Sequence, residues 1–296
     1  MPATQMKQRV AFRNILFATD FSSAANSALP YAAGFARSFG ANLFAMHVKE
    51  PANYALPPEL WQNVQDVCDS EMQQLRAALG RDFPELKPEF VEGEGSVWSA
   101  LAVAVKEHKI DLIVVGTRGR TGIGKVLLGS QAEEIFRHAP CPVLTVGPRA
   151  QSENERRGNL GSILFATDFG SASHAAAPIA VSLAEENQAK LTLLHVIENG
   201  GADHLSHPAQ FLESSERQLR ALVPEEAKIW CAPHFLAEPG NAIEKILEVA
   251  ERTHADLIVL GVHKPEGVAG AVTHLPIATV HHIVAHAKCP VLTVRG

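Results

Sequence analysis

The sequence is poor in cysteine and in long apolar runs, and each scarcity excludes a class of protein. Four cysteines among 296 residues are too few for the disulfide framework of a small secreted domain. The apolar stretch at Ala175–Ala184 is interrupted by Pro178 and Ser182, whereas a membrane span needs about 18 consecutive apolar residues. The first residues also lack the apolar core and cleavage site of a secretion signal. We therefore expect a cytoplasmic protein without a membrane span.

The chain also has no excess of positive charge. The chain carries 26 Lys and Arg against 32 Asp and Glu, which gives a formal net charge of −6. The first 150 residues hold 15 charges of each sign, so the remaining residues carry the whole acidic excess. A protein that neutralises many nucleic-acid phosphates needs a basic surplus. We therefore expect no nucleic-acid partner.

What the sequence does contain is a long internal repeat. The segment ILFATDF occurs at Ile15–Phe21 and again at Ile163–Phe169, 148 positions later. The segment CPVLTV occurs at Cys141–Val146 and at Cys289–Val294, with the same separation of 148 positions. A period this long indicates a duplicated domain, because solenoid units repeat every 20–50 residues or so.

Each copy has the pattern of one α/β domain, and we predict domains at residues 1–148 and 160–296 with a polar linker between them. Short apolar runs alternate with longer amphipathic stretches, which is typical of parallel βαβ units. The first copy predicts strands at Ile15–Ala18, Leu43–Val48, Glu89–Val91, Leu112–Val115 and Val143–Val146. It predicts helices at Ala24–Phe39, Glu59–Leu79, Val97–His108 and Gln131–His138. The expected fold is two tandem Rossmann-like domains, each a five-stranded parallel sheet with helices on both faces.

A glycine-rich loop follows the fourth predicted strand and has five glycines within residues 116–130. Glycines let the backbone approach a phosphate, and the N–H groups at a helix start bind anions. Arg118, Arg120 and Lys125 add positive charge. In an open α/β sheet this loop meets the end of the first strand, Ala18–Asp20, where ligands bind. The spacing is neither that of a Walker A motif nor that of the dinucleotide fingerprint.

These features together resemble a tandem member of the universal stress protein family, whose nucleotide-binding members carry the pattern G-x2-G-x9-G-[S/T]. Gly116, Gly119, Gly129 and Ser130 fit that spacing without a gap. The resemblance covers nearly the whole chain, since the repeated ATD and CPVLTV segments agree with it. It implies a bound adenine nucleotide (ATP, ADP or AMP), with or without Mg.

The resemblance also implies a set of site residues at the ends of strands one, two and four. Those implied to line the adenosine are Ala18, Thr19, Asp20 and Val48. Those implied to meet the ribose and phosphates are Gly116, Arg118, Gly119, Gly129, Ser130 and Gln131. The last strands of the two copies are expected to pair within the chain, as the tandem analogue of the family's common dimer. Whether two chains also form a homodimer is left open.

The second copy departs from this pattern. It keeps Asp168 but has Lys264 at the inner glycine position, and Ile277 stands opposite Gly129. A side chain at such a position blocks the close approach of a phosphate to the backbone. We therefore expect a structural or regulatory role for the second copy.

Histidine and cysteine patterns are weaker. Three pairs have spacings that metal sites use, namely His282/His286, Cys231/His234 and His204/His207. No pair has further ligands at a telling spacing, so we predict no metal site and no catalytic residue. Cys141 and Cys289 are interpreted as core residues, Cys68 and Cys231 have no evident activating partner, and His47 and His195 are expected to be packed or hydrogen-bonded.

The resemblance thus implies a stress-response protein that binds ATP in its amino-terminal domain and has a nucleotide-dependent regulatory or protective role. Two alternatives stay open: a slow ATPase or self-phosphorylating enzyme that uses the same site, and a nucleotide-free scaffold. The enzyme stays open because Arg118 or Lys125 could offset developing charge, with Asp20 as the one evident base. The scaffold stays open because Asp20 could serve only as a helix N-cap and because the loop cations could form a solvated surface.

Overall fold

The computed structural model describes residues 12–49, 58–117, 130–150, 159–198, 208–227, 232–262 and 277–296. These ranges contain ten β-strands and eight α-helices. The central part of the predicted linker, residues 151–158, lies outside them. Within the described ranges, no helix is both long enough and apolar enough to cross a membrane.

The elements of the first half follow the predicted order. Its strands are β1 (Asn14–Ala18), β2 (Asn42–Lys49), β3 (Glu89–Glu94), β4 (Leu112–Gly116) and β5 (Val143–Val146). Its helices are α1 (Ser23–Phe39), α2 (Pro58–Asp82), α3 (Val97–Glu107) and α4 (Ser130–His138). Every strand and helix predicted for this half is therefore confirmed, with bounds that differ by three residues at most.

The second half repeats the same order of elements. Its strands are β6 (Ser162–Ala166), β7 (Lys190–Ile197), β8 (His234–Pro239), β9 (Leu257–Val262) and β10 (Val291–Arg295). Its helices are α5 (Ser171–Asn187), α6 (Pro208–Ala221), α7 (Ala242–Arg252) and α8 (Ile277–His286).

All ten strands form one sheet in the order β3-β2-β1-β4-β5-β10-β9-β6-β7-β8. Neighbouring strands within each half are parallel, which confirms the predicted α/β fold class. At the centre, β10 runs antiparallel to β5, with Leu292 opposite Leu144. In each half the strand order reverses beside the first strand, between β1 and β4 and between β6 and β9.

Local signals set the ends of the helices. Helix α1 is capped by Ser22, whose Oγ accepts a hydrogen bond from the Ala25 N–H at 3.2 Å. Helix α3 is capped in the same way by Ser96. Helix α1 ends at Gly40, which adopts a left-handed φ of 60° and donates its N–H to the last turn. These caps satisfy backbone groups that a helix end would otherwise leave without a partner.

The two faces of the sheet are covered differently. On the face of α1, α2, α5 and α6, one continuous apolar cluster runs through both halves and includes Leu144 and Leu292, neither of which is exposed. On the other face each half has its own cluster. Phe136 of α4 is an exception, since it belongs to the first half but packs into the cluster of the second.

The helix end at residue 188 provides a stability test. Gln188 follows α5 with a φ of 52°, where the first half has Gly40. A left-handed conformation costs a side chain about 1 kcal/mol that glycine avoids. Gln188→Gly should therefore raise the free energy of unfolding in urea by about 1 kcal/mol. The matched change Gly40→Gln should lower it by a similar amount, and equal stabilities for all three proteins would contradict this account.

Candidate functional site

Three strand ends meet where the strand order of the first half reverses. Ala18 ends β1 and pairs with Met46 of β2, while Phe17 pairs with Val114 of β4. Because parallel strands end on the same edge of a sheet, the ends of β1, β2 and β4 lie side by side there. Ala18, Val48 and Gly116, all half-buried, are thus brought to one edge. Such an edge is where open α/β sheets bind ligands.

Thr19 fixes the turn that leaves β1. Its N–H donates to the carbonyl of Met46 at 2.9 Å, and its own carbonyl accepts from the His47 ring Nδ1 at 2.9 Å. Its hydroxyl accepts the N–H of Phe21 at 2.9 Å. Thr19 is also almost fully buried. Its polar groups therefore shape the turn from within.

Asp20 follows Thr19 in this turn and is half-buried. Its Oδ1 accepts the N–H of Ser22 at 3.0 Å. The interpretation of Asp20 as the N-cap of α1 is wrong, because Ser22 occupies that position and caps the helix. The carboxylate is therefore held at the strand end by a hydrogen bond from the backbone two residues later, and it does not cap the helix.

His47 connects the turn to helix α2. Its imidazole contacts the Phe21 ring at a tilt of 36° with ring centroids 4.5 Å apart, and its Nε2 lies 3.8 Å from the Cys68 Sγ. The sequence alone shows no evident activating partner for Cys68, and the structure places the His47 imidazole in contact with its sulfur. A signal was present, since Cys68, Met72 and Leu75 follow helical spacing and are all buried, which directs Cys68 toward the sheet.

The second half repeats the backbone of this turn with different side chains around it. The His195 Nδ1 contacts the carbonyl of Thr167 at 2.9 Å, as His47 does with Thr19, so the expectation of hydrogen-bonded histidines is confirmed. Asp168 accepts the N–H of Gly170 at 2.8 Å and also the hydroxyl of Ser173 at 2.7 Å. The first half has alanine at the position of Ser173, so only Asp168 is restrained by that hydroxyl.

Gly116 ends β4 against the first turn of α1. A Cβ atom at Gly116 would lie 2.6 Å from the carbonyl carbon of Ala24. Gly261 has the same relation to α5, where a Cβ would lie 2.6 Å from the carbonyl oxygen of Ala172. Glycine is therefore needed here for packing of the helix on the strand, whether or not a ligand approaches.

Part of the predicted site lies outside the described residues, namely Arg118, Gly119 and Gly129, as does Lys264 in the second half. Helix α4 begins at Ser130, directly after the predicted phosphate loop, and Gln131 in its first turn is half-buried. Helix α8 begins at Ile277, which matches Gly129, one position earlier than the start of α4.

Among the described residues, no cluster brings together three or more His, Cys, Asp or Glu side chains that could hold a metal ion. His282 and His286 stack with ring centroids 4.2 Å apart. The Nδ1 of His286 is hydrogen-bonded to the carbonyl of His282 at 2.9 Å. The other pairs with metal-like spacing involve His204, His207 and Cys231, which lie outside the described residues.

Comparison with known proteins gives a consistent result. The model of the universal stress protein family matches residues 11–147 and again residues 160–295. A universal stress protein of Mycolicibacterium smegmatis is 27% identical over 303 residues, covering 98% of this chain and 99% of that protein. One from Methanocaldococcus jannaschii is 30% identical over 141 residues, covering 46% of this chain and 82% of that protein. The crystal structure of a universal stress protein from Archaeoglobus fulgidus shares the fold, with a TM-score of 0.69, 19% identity, and coverage of 95% of this chain and 98% of that one.

The packing of Gly116 predicts a loss of stability on substitution. Gly116→Ala should lower the free energy of unfolding by about 3 kcal/mol, because the new methyl group meets the backbone of α1. Gly80→Ala is the matched control, since Gly80 is exposed within α2 and a Cβ there has no neighbour within 4 Å. The control should gain about 0.5–1 kcal/mol from helix propensity. Urea denaturation checks both, and equal effects would contradict the packing argument.

His195 predicts a pH dependence of stability. Burial lowers the pKa of His195 below its usual 6.5 against smaller opposing effects from Thr167 and Asp168. The unfolded chain therefore binds a proton first as the pH falls below 6.5, and the folded state loses stability in that range. His195→Asn retains a donor for the Thr167 carbonyl but does not titrate. Urea denaturation at pH 7.5 and pH 5.5 should show a smaller loss for the variant, and equal losses would refute this assignment.

Proposed function

The chain belongs to the universal stress protein family, and from this premise we propose that its amino-terminal half binds one adenine nucleotide, ATP in the first instance. The carboxyl-terminal half binds none and acts as a structural and regulatory partner. One observation carries the proposal: the loop with the family's glycine spacing joins β4 to α4, beside the reversal of strand order between β1 and β4. Such a crevice is the usual ligand site of an open α/β sheet.

The adenosine would lie against the turn after β1. Ala18, Thr19 and Asp20 would line it, and the backbone of Val48 would meet the adenine edge. The hydrogen bonds of Thr19 to Met46 and His47 are formed within the chain and hold this turn in place. A preformed turn loses little conformational freedom on binding, which favours affinity.

The phosphates would lie at the amino-terminal end of α4. Gly116, Arg118 and Gly119 would approach the ribose and phosphates from the end of β4. The second group of contacts would come from Gly129, Ser130 and Gln131. The N–H groups and dipole of a helix start attract phosphate, and an arginine side chain adds charge-assisted hydrogen bonds. Helix α4 has nine residues, and the carboxylate of Glu133 in its first turn is paired with Arg137 at 2.6 Å, so that the loop cations would be left to face the phosphates.

The second half lacks the matching features. Lys264 and Ile277 replace small residues of the loop, and the Asp168 carboxylate is bonded to the Ser173 hydroxyl. A ligand that used this carboxylate would first have to displace the hydroxyl. These differences support one nucleotide per chain rather than two.

We assign the two domains to residues 1–148 and 160–296, held together by the pairing of β5 with β10. Phe136 also joins the two domains, because this side chain of α4 packs into the apolar cluster of the second domain. Nucleotide at the start of α4 would therefore be coupled to the second domain, which suits a regulatory role in a stress response. Because β10 covers the edge of β5, a further homodimer would use another surface.

Calorimetric titration of the full chain with Mg-ATP tests the proposal. We expect one site per chain, and Gly129→Val should abolish binding by filling the space next to the phosphates. Ile277→Val is the matched control in the second half and should leave both stoichiometry and affinity unchanged.

The absence of binding, or two equal sites, would contradict the proposal. Phosphate release from ATP, measured on the same samples, separates binding from turnover. Release that persists in purified protein and disappears in Asp20→Ala would instead favour an enzyme.

A further inference from the structure

Cys68 and His47 form a nucleophile–base pair beneath the turn that follows β1. The Cys68 Sγ lies 3.8 Å from the Nε2 of His47, and the Nδ1 of that ring lies 2.9 Å from the Thr19 carbonyl oxygen. A carbonyl oxygen only accepts hydrogen bonds, so Nδ1 carries the hydrogen and Nε2 faces the thiol. A nucleophile in contact with a base, which is itself oriented by a third group, is the arrangement of covalent catalysis.

The surroundings of the pair are apolar on one side and charged on the other. Phe21 covers the imidazole, and Cys68 is only 7% exposed, so a bulky reagent has little access. Lys49 lies two positions beyond His47 and forms an ion pair with Glu92 at 2.9 Å. The pKa of Lys49 is raised above its usual 10.5, chiefly by that hydrogen bond, and its ammonium group belongs to the last residue of the strand that carries the imidazole.

Comparison of the two halves shows which part of the arrangement is specific. The sequence QLRA occurs in α2 and again in α6, and Arg76 and Arg220 within it each lie over a phenylalanine ring. This register places Leu212 where the first half has Cys68. His195 keeps its bond to the Thr167 carbonyl without a thiol at that position. The imidazole–carbonyl bond thus belongs to the fold, whereas the thiol is particular to the first half.

The two cysteines that begin the repeated CPVLTV segments provide a contrast. Burial raises the pKa of Cys141 to about 12, which opposes formation of a thiolate. Cys289 is buried in the apolar cluster of the second half. Both therefore serve as internal references for reactivity.

We propose that Cys68 is a peroxide-reactive thiol, with His47 as its base, and that small hydroperoxides are its substrates. The thiol proton moves to the His47 Nε2, and the thiolate sulfur attacks the terminal oxygen of the peroxide. The O–O bond breaks as the S–O bond forms. Sulfur is oxidised by two electrons to a sulfenic acid, and the peroxide is reduced to an alcohol or to water, which receives the proton from His47. The acid is the first, thiol-reversible step of cysteine oxidation.

Mass spectrometry of the full chain tests this proposal. The protein is treated with an equimolar amount of hydrogen peroxide, samples taken over time are unfolded in urea that contains dimedone so that every sulfenic acid is accessible, and the label is quantified at each cysteine. We expect Cys68 to react at least about tenfold faster than Cys141 and Cys289, as general-base assistance provides. Dithiothreitol added before dimedone should remove the signal.

Two histidine variants separate base action from structure. His47→Asn keeps a donor for the Thr19 carbonyl but has no base at the Nε2 position, so the Cys68 rate should fall at least about tenfold. His195→Asn makes the matched change in the second half and should leave the Cys68 rate unchanged. The proposal would be overturned if Cys68 reacted no faster than Cys141 and Cys289. It would also be overturned if Cys68 in His47→Asn reacted as fast as in the unaltered chain.

The pH profile of the unaltered chain decides the question if His47→Asn fails to fold. The Cys68 rate should change less than about threefold between pH 6.5 and 8.5, because the imidazole takes the proton throughout that range. An unassisted thiol would gain roughly tenfold per pH unit over most of it. A tenfold gain per unit at Cys68 would refute the role of His47.

Discussion

The hydrogen bond between an imidazole and the carbonyl that follows the first strand is the interaction on which the edge of each half depends. It joins His47 to Thr19 in the first half and His195 to Thr167 in the second, at 2.9 Å in both. The residue two positions after the carbonyl is a phenylalanine with a positive φ, 61° at Phe21. That conformation costs a side chain roughly 1–2 kcal/mol. The contact of the Phe21 ring with the imidazole and the hydrogen bond from the Phe21 N–H to the Thr19 hydroxyl offset this cost.

Duplication preserved this backbone arrangement while the side chains around it diverged. Ser173 bonds the Asp168 carboxylate where the first half has Ala25, and Leu212 stands where the first half has Cys68. Neither change touches the imidazole–carbonyl bond, so the turn keeps its shape in both halves. Binding and reactivity can therefore differ between two edges that share a fold. The same imidazole contacts both the proposed adenosine turn and the proposed reactive thiol, which puts the two within one hydrogen-bonded group.

Features that depend on local sequence could be predicted, and features that depend on the meeting of distant segments could not. Apolar runs predicted the strands of the first half, and amphipathic stretches predicted its helices. The pairing of Cys68 with His47 depends on the rotation of α2 over the sheet, which spacing suggests only after the strand order is known. The neighbour of Gly116 was likewise unpredictable, because the glycine pattern implied a ligand and not the backbone of Ala24.

Helix α4 explains why a half without a complete phosphate loop would be retained. It spans nine residues, Ser130–His138, and a helix that short is marginal in water without tertiary packing. Part of that packing comes from the other half, where Phe136 is almost fully buried among side chains that include Ile283 and Val284. The carbonyl of Val284 also approaches Gly147 so closely that a Cβ there would clash with it. The start of α4, where we propose that phosphate binds, is thus supported through a helix whose far end rests on the second domain. The change of glycines in the second loop leaves these described contacts in place, since they come from α8.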